Sequence, residues 1–163
     1  MSTDRVEGAL AKERVGRTPK AFLVLALLVA ALLRVPYFFE RDSSVDLRQP
    51  TVDAGFHDDW ARSLAFGAEG ASDWRPAHYA DPHFDSSPYL RPPGFPYLLA
   101  GIYRMSGGSH LAAVAVQMIL GCLSVWLLFS MVCRALGPGA GLVAALLLGC
   151  HWAPIYFEGE LHA

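Results

Sequence analysis

Residues 111–133, LAAVAVQMILGCLSVWLLFSMVC, form an apolar run of twenty-three residues without a charged side chain. As an α-helix, a run of this length crosses the hydrocarbon core of a bilayer, which is ~30 Å thick. We therefore predict a transmembrane helix over 111–133.

Two further apolar runs flank this helix along the chain. Residues 21–39, AFLVLALLVAALLRVPYFF, carry a single charge at Arg34, and residues 140–157, AGLVAALLLGCHWAPIYF, carry none. The second run follows the turn Gly137-Pro138-Gly139, which is typical of a helical hairpin. The sequence predicts an all-α polytopic membrane protein with three transmembrane helices and a long loop between the first two.

The composition supports this class. The chain has 163 residues, of which 53% are hydrophobic and 17% charged, and its net charge is −2. Soluble domains carry about 25% charged residues. The near-neutral charge argues against a nucleic-acid partner, and the apolar content against disorder. Three cysteines lie in or at the ends of the apolar runs without C-x-x-C spacing, and we interpret them as packing residues: Cys122, Cys133 and Cys150.

A cleaved signal peptide is the alternative for the first run, because a basic leader, residues 1–20, precedes it. The leader also contains Asp4, Glu7 and Glu13, and no clear A-x-A cleavage motif follows the run. These features favour a retained transmembrane helix.

The placement of Lys and Arg predicts the orientation. Residues 1–20 carry five of them, whereas residues 40–110 carry six Arg against ten acidic residues. Since positive residues near helix ends stay in the cytoplasm, we predict a cytoplasmic leader and an extracytoplasmic loop over 40–110.

The loop contains one clear helical pattern. Residues 53–67, DAGFHDDWARSLAFG, repeat apolar side chains at helical spacing, which predicts a short amphipathic helix on the membrane surface that ends at Gly67. Asp53 begins this helix, and on spacing alone an N-cap explains it. Asp58 and Asp59 are interpreted as a solvated face.

Two other features of the loop carry polar chemistry. Arg91 precedes two prolines, which fix the backbone, and its guanidinium suits a phosphate at the membrane surface. Non-specific contact with lipid headgroups is the alternative. Upstream, four side chains crowd together in a Pro-rich and Ser-rich stretch that lacks the fixed geometry of a metal site: His78, Asp81, His83 and Asp85. No cofactor is predicted, and a divalent metal stays open.

Two motifs resemble those of a known family. Residues 52–62, VDAGFHDDWAR, followed by Gly67, are similar to the first outer-loop signature of the GT-C membrane glycosyltransferases. Residues 91–100, RPPGFPYLLA, resemble the basic-Pro-Pro motif that follows it, and residues 151–160 resemble the end of the third helix. The motifs are similar to those of the dolichyl-phosphate-mannose-protein mannosyltransferase-like and RgtA/B/C/D-like bacterial groups, which include the lipid A aminoarabinose transferase.

The resemblance implies a function and roles for three residues. The family transfers a sugar from a polyprenyl-phosphate carrier to an acceptor outside the membrane, which is a protein, a lipid or a glycan, and inverts the anomeric centre. Asp53 matches the catalytic base, and Arg91 matches the residue that holds the carrier phosphate. His57 stands in the substrate-binding position where Tyr is usual. The implied location is the bacterial inner membrane.

Two further expectations concern the chain as a whole. GT-C enzymes have more than three spans, so we expect the sequence to be an N-terminal part, truncated after residue 163 and inactive alone. The alternative is a small non-enzymatic three-span membrane protein whose outer loop binds a partner. A lipid-carrier ligase is a second alternative.

Overall fold

The structure, a computed structural model, describes residues 3–50, 52–67 and 92–161. Within these ranges every regular element is an α-helix, which confirms the predicted all-α class. The helices are α1 (Thr3–Ser43), α2 (Val45–Arg48), α3 (Val52–Phe66), α4 (Gly94–Ser106), α5 (His110–Leu136), α6 (Pro138–Gly149) and α7 (Trp152–Glu158).

Two helical segments are long and apolar enough to cross a membrane, namely Pro19–Ser43 of α1 and the whole of α5. The α6–α7 pair, which is bent by 52°, adds a third if it counts as one span. The sequence predicts one helix over 140–157, and Pro154 explains the bend. Its ring lacks an N–H group and would collide with the carbonyl of Cys150 in a continuous helix.

The described residues divide into two compact units. One contains the chain up to Tyr37 together with Met118–Tyr156, and the other contains Phe38–Gln117 together with the residues from Phe157 onward.

Small residues form the centre of the first unit. Its buried core combines Ala26 and Ala30 of α1 with Val125 and Phe129 of α5 and Ala145 of α6. A Cβ atom added at Gly149 would lie 3.3 Å from the Cβ atom of Ala30. Small side chains of this kind allow transmembrane helices to pack closely.

Large apolar side chains surround this core on the outside. Leu32, Met131 and Leu147 are each about 70% exposed, at 71%, 69% and 70%. Apolar side chains exposed on long apolar helices are suited to contact with lipid rather than water.

Arg34 is the charged residue of the first apolar run, and it is buried within the first unit. Its Nη1 atom donates to the carbonyl oxygens of Ala30 and Gly149, both at 3.2 Å. Gly149 is the last residue of α6, where the helix dipole leaves carbonyl oxygens that attract a cation. The end of α6 therefore provides an acceptor for a charge within the span.

In the second unit, α3 packs along α4. The α3 helix contributes buried Ala54 and Ala61, and α4 contributes buried Leu99 and Tyr103. The positive φ of Gly67 ends α3, as the sequence predicts. This helix pair carries most of the polar contacts described below.

Candidate functional site

Asp53 lies in the first turn of α3 and is half-buried. The helix begins at Val52, so Asp53 is its second residue rather than its N-cap. A carboxylate in the first turn is favoured by the positive end of the helix dipole. The helix dipole therefore explains an Asp at this position without an N-cap role.

His57 lies one turn after Asp53 on the same side of α3, because residues four apart share a helix face. Its side chain is buried, at 3% exposure. The ring meets Phe56 edge-on at a centroid distance of 5.5 Å and Phe95 of α4 at 5.4 Å. His57 thus packs the beginning of α3 against the beginning of α4.

A polar cluster follows immediately, centred on the carboxylate of Asp58, which is 5% exposed. Its Oδ1 atom accepts a hydrogen bond from the Tyr103 hydroxyl at 2.5 Å and lies 2.8 Å from His110 Nε2. Its Oδ2 atom accepts from Arg62 Nε at 2.9 Å. Three donors from α3, α4 and the first residue of α5 therefore meet at one carboxylate.

His110 Nε2 also lies 2.8 Å from Arg62 Nη2. Since a carboxylate only accepts, we assign an Nε2 proton to the contact with Asp58. Arg62 Nη2 donates instead to the carbonyl oxygen of Gly108 at 3.0 Å. The guanidinium carbon of Arg62 lies 5.0 Å from the centroid of the Tyr103 ring, which adds a cation–π contact.

The surroundings of Asp58 shift two pKa values. Burial raises the pKa of the Asp58 carboxyl, but the hydrogen bonds from His110, Tyr103 and Arg62 and the charge of His110 outweigh it, so the pKa lies below its ordinary value. Burial and the Asp58 charge raise the pKa of Tyr103 far above its ordinary range. Asp58 is therefore an anion near neutral pH, and Tyr103 remains a hydroxyl donor.

The interpretation of Asp58 as part of a solvated face is therefore wrong. The available sequence signal was the pair Asp58 and Arg62, four residues apart with opposite charges, which is the spacing of a helical ion pair. Tyr103 and His110 lie too far along the chain for spacing to connect them with α3.

Arg91 lies outside the described residues, as do the four side chains of the metal alternative: His78, Asp81, His83 and Asp85. The described chain resumes at Pro92, and Pro93 directly precedes α4. Among the described residues, no group of three or more His, Cys, Asp or Glu side chains is arranged to hold a metal ion.

The long apolar helices with their exposed apolar faces define the chain as an integral membrane protein. Residues 90–160 match the family described as dolichyl-phosphate-mannose-protein mannosyltransferase. The match supports a GT-C mannosyltransferase-like family and agrees with the resemblance of residues 91–100 and 151–160, which lie within it. Such a family implies a membrane glycosyltransferase. No curated protein and no solved structure shows a match to the chain.

The matched range contains Arg91, α4, α5, α6 and α7, and it begins after α3. Asp53 and His57 therefore lie outside it. Their connection with the matched part is the packing of α3 against α4, including the contact between His57 and Phe95.

Proposed function

We propose that this protein transfers a sugar from a polyprenyl-phosphate carrier to an acceptor on the extracytoplasmic side of the bacterial inner membrane, with inversion of the anomeric centre. In this proposal Asp53 is the base, Arg91 holds the carrier phosphate, and His57 contributes to substrate binding.

The family match over residues 90–160 carries the proposal, because this range includes Arg91-Pro92-Pro93. The packing of α3 supports the role of Asp53. His57, one turn after Asp53, contacts Phe95, which is four residues after Arg91. The Asp53 motif thus lies in α3, and the Arg91 motif continues along the chain into α4, the helix that packs against α3.

Asp53 would act on the acceptor hydroxyl. As the acceptor oxygen forms its bond to the anomeric carbon, the bond from that carbon to the carrier phosphate breaks, and the hydroxyl proton passes to the Asp53 carboxylate. A carboxylate is a weak base, so its contribution comes from its position and from accepting the proton late in the step. Attack opposite the departing phosphate inverts the anomeric centre.

Arg91 would act on the leaving group. The negative charge on the carrier phosphate grows as the glycosidic bond breaks, and a guanidinium pairs with two phosphate oxygens at once. The two prolines after Arg91 limit the backbone freedom of the segment that carries it. The guanidinium therefore serves both donor binding and the chemical step.

The test uses membranes that contain the full gene product, incubated with polyprenyl-phosphate mannose labelled in the sugar. Transfer predicts that the label leaves the lipid fraction. We expect Asp53→Asn to lower the rate about 100-fold or more, as loss of a general base does. Arg91→Ala should weaken donor binding and turnover, and Arg91→Lys should recover only part of both, since Lys lacks the bidentate fork.

Asp46→Asn is the matched control, because Asp46 is an exposed carboxylate on α2. It removes the same charge and should leave the rate unchanged. Asp53→Asn with wild-type turnover would contradict the base assignment. If the wild-type protein left the label on the carrier across a series of sugars and carriers, the non-enzymatic alternative would be favoured.

A further inference from the structure

We propose that Asp58 is a positioning residue for the transfer reaction, because its buried contacts with Tyr103, His110 and Arg62 fix the rotation of the helix that carries Asp53. This inference rests on the proposed function. It gives a role in the reaction to a residue that has none from the motifs or from the family match.

The contacts of Asp58 connect three elements at one point. Tyr103 belongs to α4, His110 is the first residue of α5, and Arg62 lies one turn further along α3. Tyr103 is fully buried, and the side chains of Asp58 and His110 are only 7% and 16% exposed. Hydrogen bonds among buried groups are sensitive to distance and angle, so they hold α3 in one orientation.

The helix geometry transmits this orientation to Asp53. Successive residues of an α-helix are rotated by about 100°, so Asp53 and Asp58 point about 140° apart around the α3 axis. When Asp58 faces Tyr103 and His110, the direction of Asp53 is determined. The distance between the two residues along the axis is about 7.5 Å, short enough for a rigid helix to carry the constraint.

A second contact fixes α3 near the other end of α4. Arg62 donates to the carbonyl oxygen of Gly108, just after α4, whereas His57 contacts Phe95 near its beginning. Asp58 holds the Arg62 guanidinium in place for this contact through Nε. Removal of the carboxylate therefore weakens the contacts of α3 with α4 and with α5. It also removes the contact that holds the Nε atom of Arg62.

A gain in the stability of the fold does not explain well why charged side chains are buried in this cluster. A buried ion pair contributes little net stability compared with apolar residues of the same volume, because both charges must be removed from water. Its geometric constraint is a separate effect. A displacement of about 1 Å at a reacting group can lower a rate by about 100-fold.

The first test compares kcat and KM for Asp58→Asn in membranes that contain the full gene product, with polyprenyl-phosphate mannose as the probe and rates normalised to folded protein. Positioning predicts a kcat about 10- to 100-fold lower, with a much smaller change in KM for the lipid donor. Tyr103→Phe keeps the ring and loses only the hydroxyl donor, so it should show the same pattern to a lesser degree. Asp46→Asn, on the exposed face of α2, is the charge control.

The second test is a double-mutant cycle with Asp53→Asn. If Asp58 acts through Asp53, the double variant should turn over no more slowly than Asp53→Asn alone. Losses that multiply, or wild-type kcat in both Asp58→Asn and Tyr103→Phe, would overturn the positioning role and leave the proposed function standing. Absence of transfer by the wild-type protein would overturn the proposed function and this inference with it.

Discussion

The carboxylate of Asp58 remains ionised in a buried position because three donors converge on its two oxygen atoms. An isolated buried carboxylate would instead take up a proton, since burial penalises the charged form. The donors reverse that tendency and lower the pKa of Asp58. The charge of this residue is thus a consequence of packing between α3, α4 and the start of α5.

The lowered pKa makes the contribution of Asp58 to stability depend on pH. A carboxyl with a lower pKa in the folded state contributes stability above its unfolded pKa, near the ordinary 3.8, and loses it as the pH falls through the folded pKa. We expect the melting temperature of wild type to exceed that of Asp58→Asn at about pH 5 and above, and this gap to close as the pH falls below about 4. Circular dichroism of protein in non-ionic detergent measures it.

The exposed Asp46 serves as the reference carboxylate for this comparison. Asp46→Asn should melt close to wild type at every pH. A gap between wild type and Asp58→Asn that persists unchanged well below pH 4 would show that the stabilising contacts do not depend on the ionised carboxyl.

The sequence predicts the α3 helix and the importance of Asp53, but it does not predict the burial of Asp58 five residues later. The apolar spacing predicts the helix, and the Asp53 motif draws attention to its first turn. The burial of Asp58 depends on Tyr103 and His110, which lie 45 and 52 residues further along the chain. Such a contact follows from how the helices pack, and local periodicity carries no information about it.

At the scale of the elements, the connection between α4 and α5 fixes the geometry of the polar cluster. Gly107 and Gly108 both adopt the left-handed conformation, with φ of 70° and 86°, and end α4. The N–H group of Gly108 donates to the carbonyl oxygen of Tyr103 at 3.0 Å. This turn brings the Gly108 carbonyl oxygen to Arg62 directly before α5 begins.

The two glycines offer a matched pair of substitutions. A Cβ atom at Gly107 would meet nothing within 4 Å, whereas one at Gly108 would lie 2.9 Å from Arg62 Nη1. We expect Gly107→Ala to cost about 1 kcal/mol of unfolding free energy from backbone strain alone. Gly108→Ala should cost more, because Arg62 must also move away from its partners. Denaturation in detergent measures both, and equal losses would contradict a role for the Arg62 contact.

The third apolar run shows how composition and helix geometry differ in what they predict. Eighteen apolar or uncharged residues over 140–157 predict a span by length, and the structure has helices over most of that range. The 52° bend between α6 and α7 follows from the position of Pro154 rather than from the apolar pattern. A proline in the first turn of α7 is compatible with a new helix, but not with continuation of the old one.

At the scale of the whole molecule, the proposed chemistry requires the loop that carries Asp53 and Arg91 to face the extracytoplasmic side. The five Lys and Arg residues of 1–20 favour a cytoplasmic leader. The crossing by α1 then places residues 40–110 on the opposite side of the membrane from the leader. The turn between α5 and α6 returns to the cytoplasmic side in this arrangement.

This topology predicts which engineered cysteines a membrane-impermeant maleimide reaches from outside. In a background with Cys122, Cys133 and Cys150 replaced by Ala, we expect Met105→Cys to be labelled in intact spheroplasts, since Met105 is 92% exposed at the end of α4. Leu136→Cys, at the end of α5 and 76% exposed, should react only after permeabilisation. Comparable exposure makes the two positions a matched pair, so a difference in labelling reports the side of the membrane. Labelling of Leu136→Cys in intact spheroplasts, with Met105→Cys protected, would invert the topology and place Asp53 on the wrong side for the proposed acceptor.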